Sequence, residues 1–358
     1  MTAPAPALLP PPPVTRRWEI ERVLAERRPE PADIEASFGT LERRAHRLLP
    51  HLAVIRRAIG STPLVPVPSL AGRGTVWLKA EAANLTGTVK ARTAYALLCA
   101  AVARAGTARL RLVEYSGGSL ALALAEMCAT TGIDLHLAVP HGSPGRLVDA
   151  LRRHGARVSH GREGEGFLGA MNEAVRVAED EGRHLLFQHC APEAAAVHRE
   201  HTGAEIVARL VQEGVAPLGL AASVGSAGTL VGTFQALHTR WPGCRAVAVF
   251  PAEAPYGDVR APHGAPRMHG TGGLGHGLKQ PLLAPYEDDV HFTGIGYAHA
   301  LEAMRTLWRT QRIAVCSSAA GAYLAASRIV DEGPRQGHAV AVAAGRGTPE
   351  EWARANAG

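Results

Sequence analysis

Beyond Ser61 the chain settles into one rhythm, in which short apolar runs of strand length alternate with amphipathic runs of helix length. "TVWLKA" precedes "ARTAYALLCAAVARAG", "LRLVEY" precedes "SLALALAEMCATTG", and "DLHLAVP" precedes "PGRLVDALRRHG" and "RVSHG". Farther on come "GLAASV", "GTLVGTFQALHTRW", "RAVAVF" and "HAVAVAAG". A strand joined to the next by a crossover helix returns in parallel. The pattern therefore predicts an α/β fold of open, twisted, mostly parallel sheets with flanking helices. With 358 residues, 46% of them hydrophobic, the chain can bury one large core or two smaller ones.

The first 57 residues read differently. Residues 1–15 are a Pro-rich leader expected to be disordered, and no basic segment precedes an apolar core, so they make a poor signal peptide. Residues 16–57 carry apolar side chains at three- and four-residue spacing, which predicts a helical N-terminal extension with Pro31 at a helix start. The extension shows no chemistry of its own and is read as packing on the main body or on a neighbouring subunit.

Composition removes several function classes. The net charge of +6 comes from arginines scattered through every segment, not gathered in a block, which argues against a nucleic-acid surface. Cys99, Cys128, Cys190, Cys244 and Cys316 lie far apart without a C-x-x-C pair, against a disulfide framework or zinc knuckle and for a reducing cytoplasm. No uninterrupted apolar run reaches about 18 residues, so no membrane span is expected. His263, His269 and the nearby His276 follow no usual zinc spacing. They are read as the flexible rim of a site, and no metal is expected.

Two strand-to-helix turns are rich in small residues. One is Ser116-Gly117-Gly118-Ser119, in "VEYSGGSLALALAEMCA", and the other is Gly225-Ser226-Ala227-Gly228-Thr229, in "LAASVGSAGTLVGTFQAL". Small residues let a backbone approach an anion, and the free amides of a helix start supply donors. Neither turn fits G-x-G-x-x-G, and the second lacks the G-K-[ST] ending of a nucleotide-binding loop, so a dinucleotide or nucleoside-triphosphate site is disfavoured. A third turn precedes Lys90. The chain has 38 basic residues but only three lysines, Lys79, Lys90 and Lys279. Where arginine is the habit, a lysine kept in such a place suggests chemistry that needs an amine.

These motifs together resemble the fold-type II pyridoxal-phosphate enzymes, in particular the cysteine synthase and cystathionine β-synthase group, whose architecture is like that of the tryptophan synthase β-subunit. "IGSTPLVPVPSL" is similar to the family's I-G-x-T-P-L opening, and "NLTGTVKAR" to N-P-G-G-S-V-K-D-R. "EYSGGSLALALA" is similar to the T-S-G-N-T-G substrate loop, and "VGSAGTLVG" to the G-T-G-G-T-x-x-G phosphate cup. "FQHCAPEAAAVHREHTGAEI" matches Q-F-x-N-P-x-N-x-x-x-H-x-x-T-x-x-E-I at Gln188, Pro192, His198, Thr202, Glu205 and Ile206. "GGLGHGL" resembles the G-I-G-x-G loop, and "CSSAAGA" resembles G-I-S-S-G-A. Order and spacing hold from Gly60 to about Gly347.

The resemblance implies pyridoxal 5'-phosphate bound through an imine to Lys90, with Arg92 beginning the helix that follows. It implies a phosphate held by Gly225, Ser226, Ala227, Gly228 and Thr229, Ser119 beside the ring oxygen, and Ser317 at the pyridine nitrogen. A hydroxyl there is a neutral partner and would make the ring a mild electron sink; the alternative reading of Ser317 is a helix N-cap. Ser116, Gly117, Gly118, Ser119, Leu120, Gln188 and Gly273 would bind substrate. A larger cofactor domain would comprise 58–95 and 200–350, with a smaller, mobile substrate domain at 96–199.

The implied reaction is β-replacement on an amino acid with a β-leaving group, such as O-acetylserine or O-phosphoserine, through an α-aminoacrylate that a small nucleophile attacks. A homodimer in the cytoplasm is expected. Departures cluster around the substrate: Ser119 stands for asparagine, Leu120 for threonine, Ala121 for glycine, Ala191 and Ala194 in an asparagine-rich loop, and Ala91 for aspartate. They point to a specialised, secondary-metabolic enzyme. The alternatives at this stage are β-elimination, as in serine or threonine dehydratases, and a non-catalytic protein of the same fold.

Overall fold

The structure is a computed structural model that describes residues 15–257 and 277–357, with side chains described from residue 21. The Pro-rich leader therefore lies almost wholly outside the described residues, as do Gly273 and the three histidines of the rim. The extension is four helices, α1 (Thr15–Glu26), α2 (Pro31–Glu35), α3 (Phe38–Leu48) and α4 (His51–Arg57). Pro31 is the first residue of α2, where its fixed φ suits a helix and its missing N–H costs nothing.

The alternation then begins. β1 (Leu64–Pro68) and β2 (Thr75–Ala80) lead into α5 (Lys90–Ala105). Next come β3 (Arg111–Tyr115), α6 (Ser119–Thr131), β4 (Asp134–Val139), α7 (Gly145–Arg153) and β5 (Arg157–His160). α8 (Gly166–Glu181), β6 (His184–Leu185) and α9 (Glu193–Val197) follow, and a π-helical turn at His198–Gly203 joins α9 to α10 (Ala204–Gln212). The last stretch holds β7 (Gly219–Ser223), α11 (Gly228–Arg240), β8 (Arg245–Pro251), β9 (Val290–Ile295) and α12 (Tyr297–Gln311). α13 (Ser317–Asp331), β10 (His338–Ala343) and α14 (Pro349–Ala357) complete it.

The strands form a six-stranded sheet in the order β1-β2-β10-β7-β8-β9 and a four-stranded sheet in the order β5-β4-β3-β6. Among the described strands only the β1–β2 pair is antiparallel. Parallel strands covered on both faces read as continuous apolar runs, as in "AVAVA" of β10, which is buried throughout.

β10 is the last strand in the chain but lies between β2 and β7, so three chain segments leave the sheet side by side at its carboxyl edge. From β2 the chain runs on to Lys90, from β7 to the Gly225 turn, and from β10 to Gly345. In open parallel sheets a ligand crevice forms where the strand order reverses in this way. The segments are tied together: the Val89 amide donates to Ala344 O at 2.9 Å, the Cys316 amide to Gly345 O at 2.8 Å, and Ser223 Oγ to Ser318 O at 2.6 Å.

The extension packs on the main body. Phe38, Ala45, Leu52 and Ile55 share a core with α5, which is buried from Ala91 to Ala103. Tyr95 of α5 donates to Glu42 at 2.7 Å, and the Phe38 and Gly39 amides at the start of α3 donate to Glu200 at 2.6 and 2.9 Å. Among the described residues no helix is long and apolar enough to cross a membrane.

Candidate active site

Of the three lysines, two are engaged elsewhere. Lys79 is 1% exposed and donates to Glu205 Oε2 at 2.6 Å and Thr62 O at 2.7 Å, while Lys279 lies on the surface against Glu287. Lys90 is half-buried at the crevice, and loss of water around its amine pulls its pKa down to about 8, against the opposing pull of the Glu114 charge. An amine in that state is partly neutral near physiological pH, as a nucleophilic lysine must be.

Lys90 is itself the first residue of α5, so the helix begins two residues earlier than Arg92. Arg92 turns into the interior instead. Its Nε and Nη2 donate to the two oxygens of Glu81 at 2.8 and 2.9 Å, and its Nη1 and Nη2 to those of Glu205, both at 2.8 Å. This double fork fixes the first turn of α5 against α10.

Thr86 and Thr88, in the turn ahead of Lys90, have buried hydroxyls with no partner among the described residues. Thr86 adopts φ +63°, in the left-handed region. Ala227, which starts α11, has φ +71°, and Phe187, beside Gln188, has φ +54°. So three of the six non-glycine residues with positive φ among the described residues lie in segments at this site. Such strain persists only where surrounding structure imposes it, and it gathers at functional sites.

The amides of Gly225, Ser226, Ala227, Gly228 and Thr229 find no acceptor among the described residues, although Ser226, Ala227 and Gly228 are buried. Free amides at the start of a 13-residue helix are the donor set that a phosphate takes. Thr229 Oγ1 is backed by His198 Nε2 at 3.2 Å, and His198 Nδ1 meets Thr202 Oγ1 at 2.9 Å. Burial, with the nearby Arg92 and Lys90 charges, drives the His198 pKa well below its ordinary value, so this ring is neutral. Orphan hydroxyls, a free-amide turn and a low-pKa amine at one edge all fit pyridoxal phosphate.

The other small-residue turn opens α6. Ser116 Oγ accepts from the Gly118 amide at 3.3 Å and the Ala121 amide at 3.2 Å, so this hydroxyl is spent on the helix start. The Ser119 and Leu120 amides have no acceptor among the described residues and could receive a carboxylate. The Leu120 side chain, 2% exposed, packs into the core, so only its backbone can serve a substrate. Gln188 Oε1 accepts from Lys90 Nζ at 3.2 Å.

Two residues here escaped the sequence reading. Glu114 is fully buried, accepts from the Tyr115 amide at 3.1 Å and the Gln188 amide at 3.3 Å, and is pushed up to about 8 by desolvation. It thereby ties the Ser116 turn to Gln188 below Lys90. The signal available was a lone charge inside the apolar run "LVEY". Glu351 was likewise unmarked, and it is bonded to Ser317. Ser317 is fully buried and is the first residue of α13, Cys316 being its N-cap. Among the described residues no group of three His, Cys, Asp or Glu stands ready for a metal.

A lysine of lowered pKa and a free-amide anion turn on neighbouring segments at the switch point of a parallel sheet suit the class of a pyridoxal-phosphate enzyme of fold type II. Residues 55–345 match the family model described as pyridoxal-phosphate dependent enzyme, and the chain belongs to that family. A probable cysteine synthase of Bacillus subtilis (strain 168) is 30% identical over 233 residues, 63% of this chain and 72% of the relative. A cysteine synthase of Staphylococcus aureus is 28% identical over 285 residues, 78% of this chain and 89% of the relative. Among solved structures, O-ureido-L-serine synthase superposes with a TM-score of 0.72 at 25% identity, covering 82% of this chain and 91% of that one.

Proposed function

We propose that the protein performs β-replacement on an amino acid carrying a β-leaving group of the O-acetylserine or O-phosphoserine kind, transferring the amino-acid fragment to a small nucleophile. The observation that carries this reading is Lys90, a partly neutral amine 3.2 Å from Gln188, at the edge where the Gly225 and Ser116 turns open. When bound, pyridoxal phosphate withdraws electrons from the α-carbon of an amino acid joined to it.

The chain's own residues supply the rest. Gly225, Ser226, Ala227, Gly228 and Thr229 hold the phosphate with amides and hydroxyls, and Ser317 and Ser119 meet the ring. The Ser116–Leu120 turn and Gln188 seat the substrate carboxylate. Lys90 anchors the cofactor and, once displaced by substrate, takes and returns the α-proton. Closure of a smaller domain, residues 96–199, over the crevice would exclude water, and a cytoplasmic homodimer with the arginines 43, 44, 56 and 57 at its surface completes the reading. The hydroxyl and amide losses at Ser119, Leu120 and Ala191 favour a specialised reaction over cysteine supply, since an unpaired buried group costs on the order of 1–3 kcal/mol.

The test is a mass-spectrometric screen of donor and nucleophile pairs against purified protein, with Lys90→Ala as the control. A yellow protein that consumes donor only with a nucleophile supports replacement. Keto-acid release without any nucleophile would establish elimination instead, and a colourless protein that cannot take up pyridoxal phosphate would sink both.

A further inference from the structure

The turn that brings Gln188 to Lys90 is held from two sides. On one, the Gln188 amide donates to buried Glu114 Oε2 at 3.3 Å, and the Cys190 amide closes the turn on Phe187 O at 2.9 Å. On the other lies the end of α1, from the N-terminal extension. Leu24, 3% exposed, shares a core with Phe187, Tyr115 and Phe167. Arg27, just past the helix, sets its guanidinium over the Phe187 ring at 5.5 Å, a cation–π distance. Cys190 Sγ lies 3.9 Å from Leu24 O, and the Arg27 charge is felt at that thiol.

Phe187 makes these contacts matter. At φ +54° it occupies the left-handed region, which a bulky side chain rarely adopts. Strain of this kind persists only while the surroundings impose it. A return of Phe187 to an ordinary φ would swing the next residue, Gln188, away from Lys90. What holds the Phe187 ring therefore holds Gln188. Tyr115 meets the ring edge-on at 5.7 Å, and the Leu24 and Arg27 side chains close over it from the extension. The clamp has its own anchor, since Leu278 belongs to the same core and the charge of neighbouring Arg28 reaches Glu287.

We propose that Leu24 and Arg27 are positioning residues: the extension clamps Phe187 in its left-handed conformation and so holds Gln188 where it can seat a substrate carboxylate. The inference rests on the reading of Gln188 as part of that seat. It gives α1 a part in substrate recognition through Phe187. The competing role for α1 is to cover apolar surface and nothing more.

Two measurements on full-length protein separate these roles. The first is the affinity for L-serine, which carries the amine and carboxylate of any donor, read from the absorbance of the cofactor-loaded protein. The second is hydrogen exchange at the Gln188 and Cys190 amides of cofactor-free protein. Leu24→Ala should weaken L-serine roughly tenfold, and Arg27→Ala by less, with cofactor content unchanged and both amides exchanging faster. Arg27→Lys keeps a cation over the ring and should restore both readouts. In a Gln188→Ala background, Arg27→Ala should cost no further affinity. If Leu24→Ala does not fold, the exposed Arg27 carries the test.

An Arg27→Ala protein with unchanged L-serine affinity and unchanged exchange overturns the clamp. So does a full additional loss in the Gln188→Ala background, or loss of cofactor along with L-serine, because either places the effect elsewhere than at Gln188. Wild type that holds pyridoxal phosphate but does not respond to L-serine overturns the carboxylate seat of the proposed function, and amide exchange alone then decides whether α1 holds the turn.

Discussion

Half-buried Lys90 and fully buried Glu114 feel each other's charge at the site, and each is moved by loss of water in the opposite chemical direction. The amine falls to about 8 and the carboxyl rises to about 8. Imine formation needs a neutral amine. The rate at which cofactor-free protein takes up pyridoxal phosphate should therefore climb through about pH 8, far below the range of an exposed lysine. Absorbance-monitored reconstitution across pH checks this, and a midpoint at the ordinary lysine value would remove the desolvation argument.

For Glu114 the sign runs the other way. Its folded form holds a proton from its ordinary pKa of 4.5 up to about 8, while the unfolded chain does not. This residue contributes stability in acid that is lost as pH rises through that window, at up to about 1.4 kcal/mol per pH unit. Glu114→Gln cannot titrate, so urea denaturation of the cofactor-free variant should show a flatter stability profile between about pH 5 and pH 8 than wild type.

At the scale of elements, the glycines of the phosphate turn have a second duty. A Cβ at Gly228 would lie 2.6 Å from Ala194 O, and one at Gly232 would run into Ala195 O and the Arg199 amide. The sequence motif suggests close approach to an anion, but these contacts are the packing of α11 on α9 and the π-helical turn. Gly232→Ala should force the helices apart at a cost of about 1–3 kcal/mol. It should also loosen the cofactor, because α11 carries Thr229 and its His198 support. A urea midpoint and cofactor retention on dialysis read both effects, and an unchanged pair would contradict the packing argument.

For the molecule as a whole, the extension matters more than its lack of chemistry suggests. Ile34, Phe38 and Leu52 are 0% exposed and lie in cores that also contain parts of the main body. Each such side chain contributes roughly 1.5–3 kcal/mol by burial, and a folded domain is held by only about 5–15 kcal/mol in total. Removing residues 1–57 should yield insoluble protein or a sharply lowered melting temperature, measured by expression and thermal unfolding. A truncated chain as stable as the full one would show the helices to be an ornament.

The alternation of strands and helices, the lysine among arginines and the two small-residue turns were all readable from the chain. Each is local: periodicity, residue type and backbone freedom act over a few neighbouring positions. With the family resemblance those motifs carry, that local text was enough for the fold class and the cofactor, and it singled out Lys90 as the candidate amine. The helix start at Lys90, the inward turn of Arg92 and the burial of the Leu120 side chain were not readable, because each depends on what packs against it.

Glu114 meeting Lys90, His198 backing Thr229, Glu200 capping α3 and Glu351 seizing Ser317 join residues that are far apart in sequence. The placement of β10 between β2 and β7 brings the Lys90, Gly225 and Gly345 segments to one edge, while Glu114 acts from the four-stranded sheet and Glu200 from the π-helical turn. A buried charge takes its character from the partners and the water that folding supplies or removes, and no residue carries that information alone.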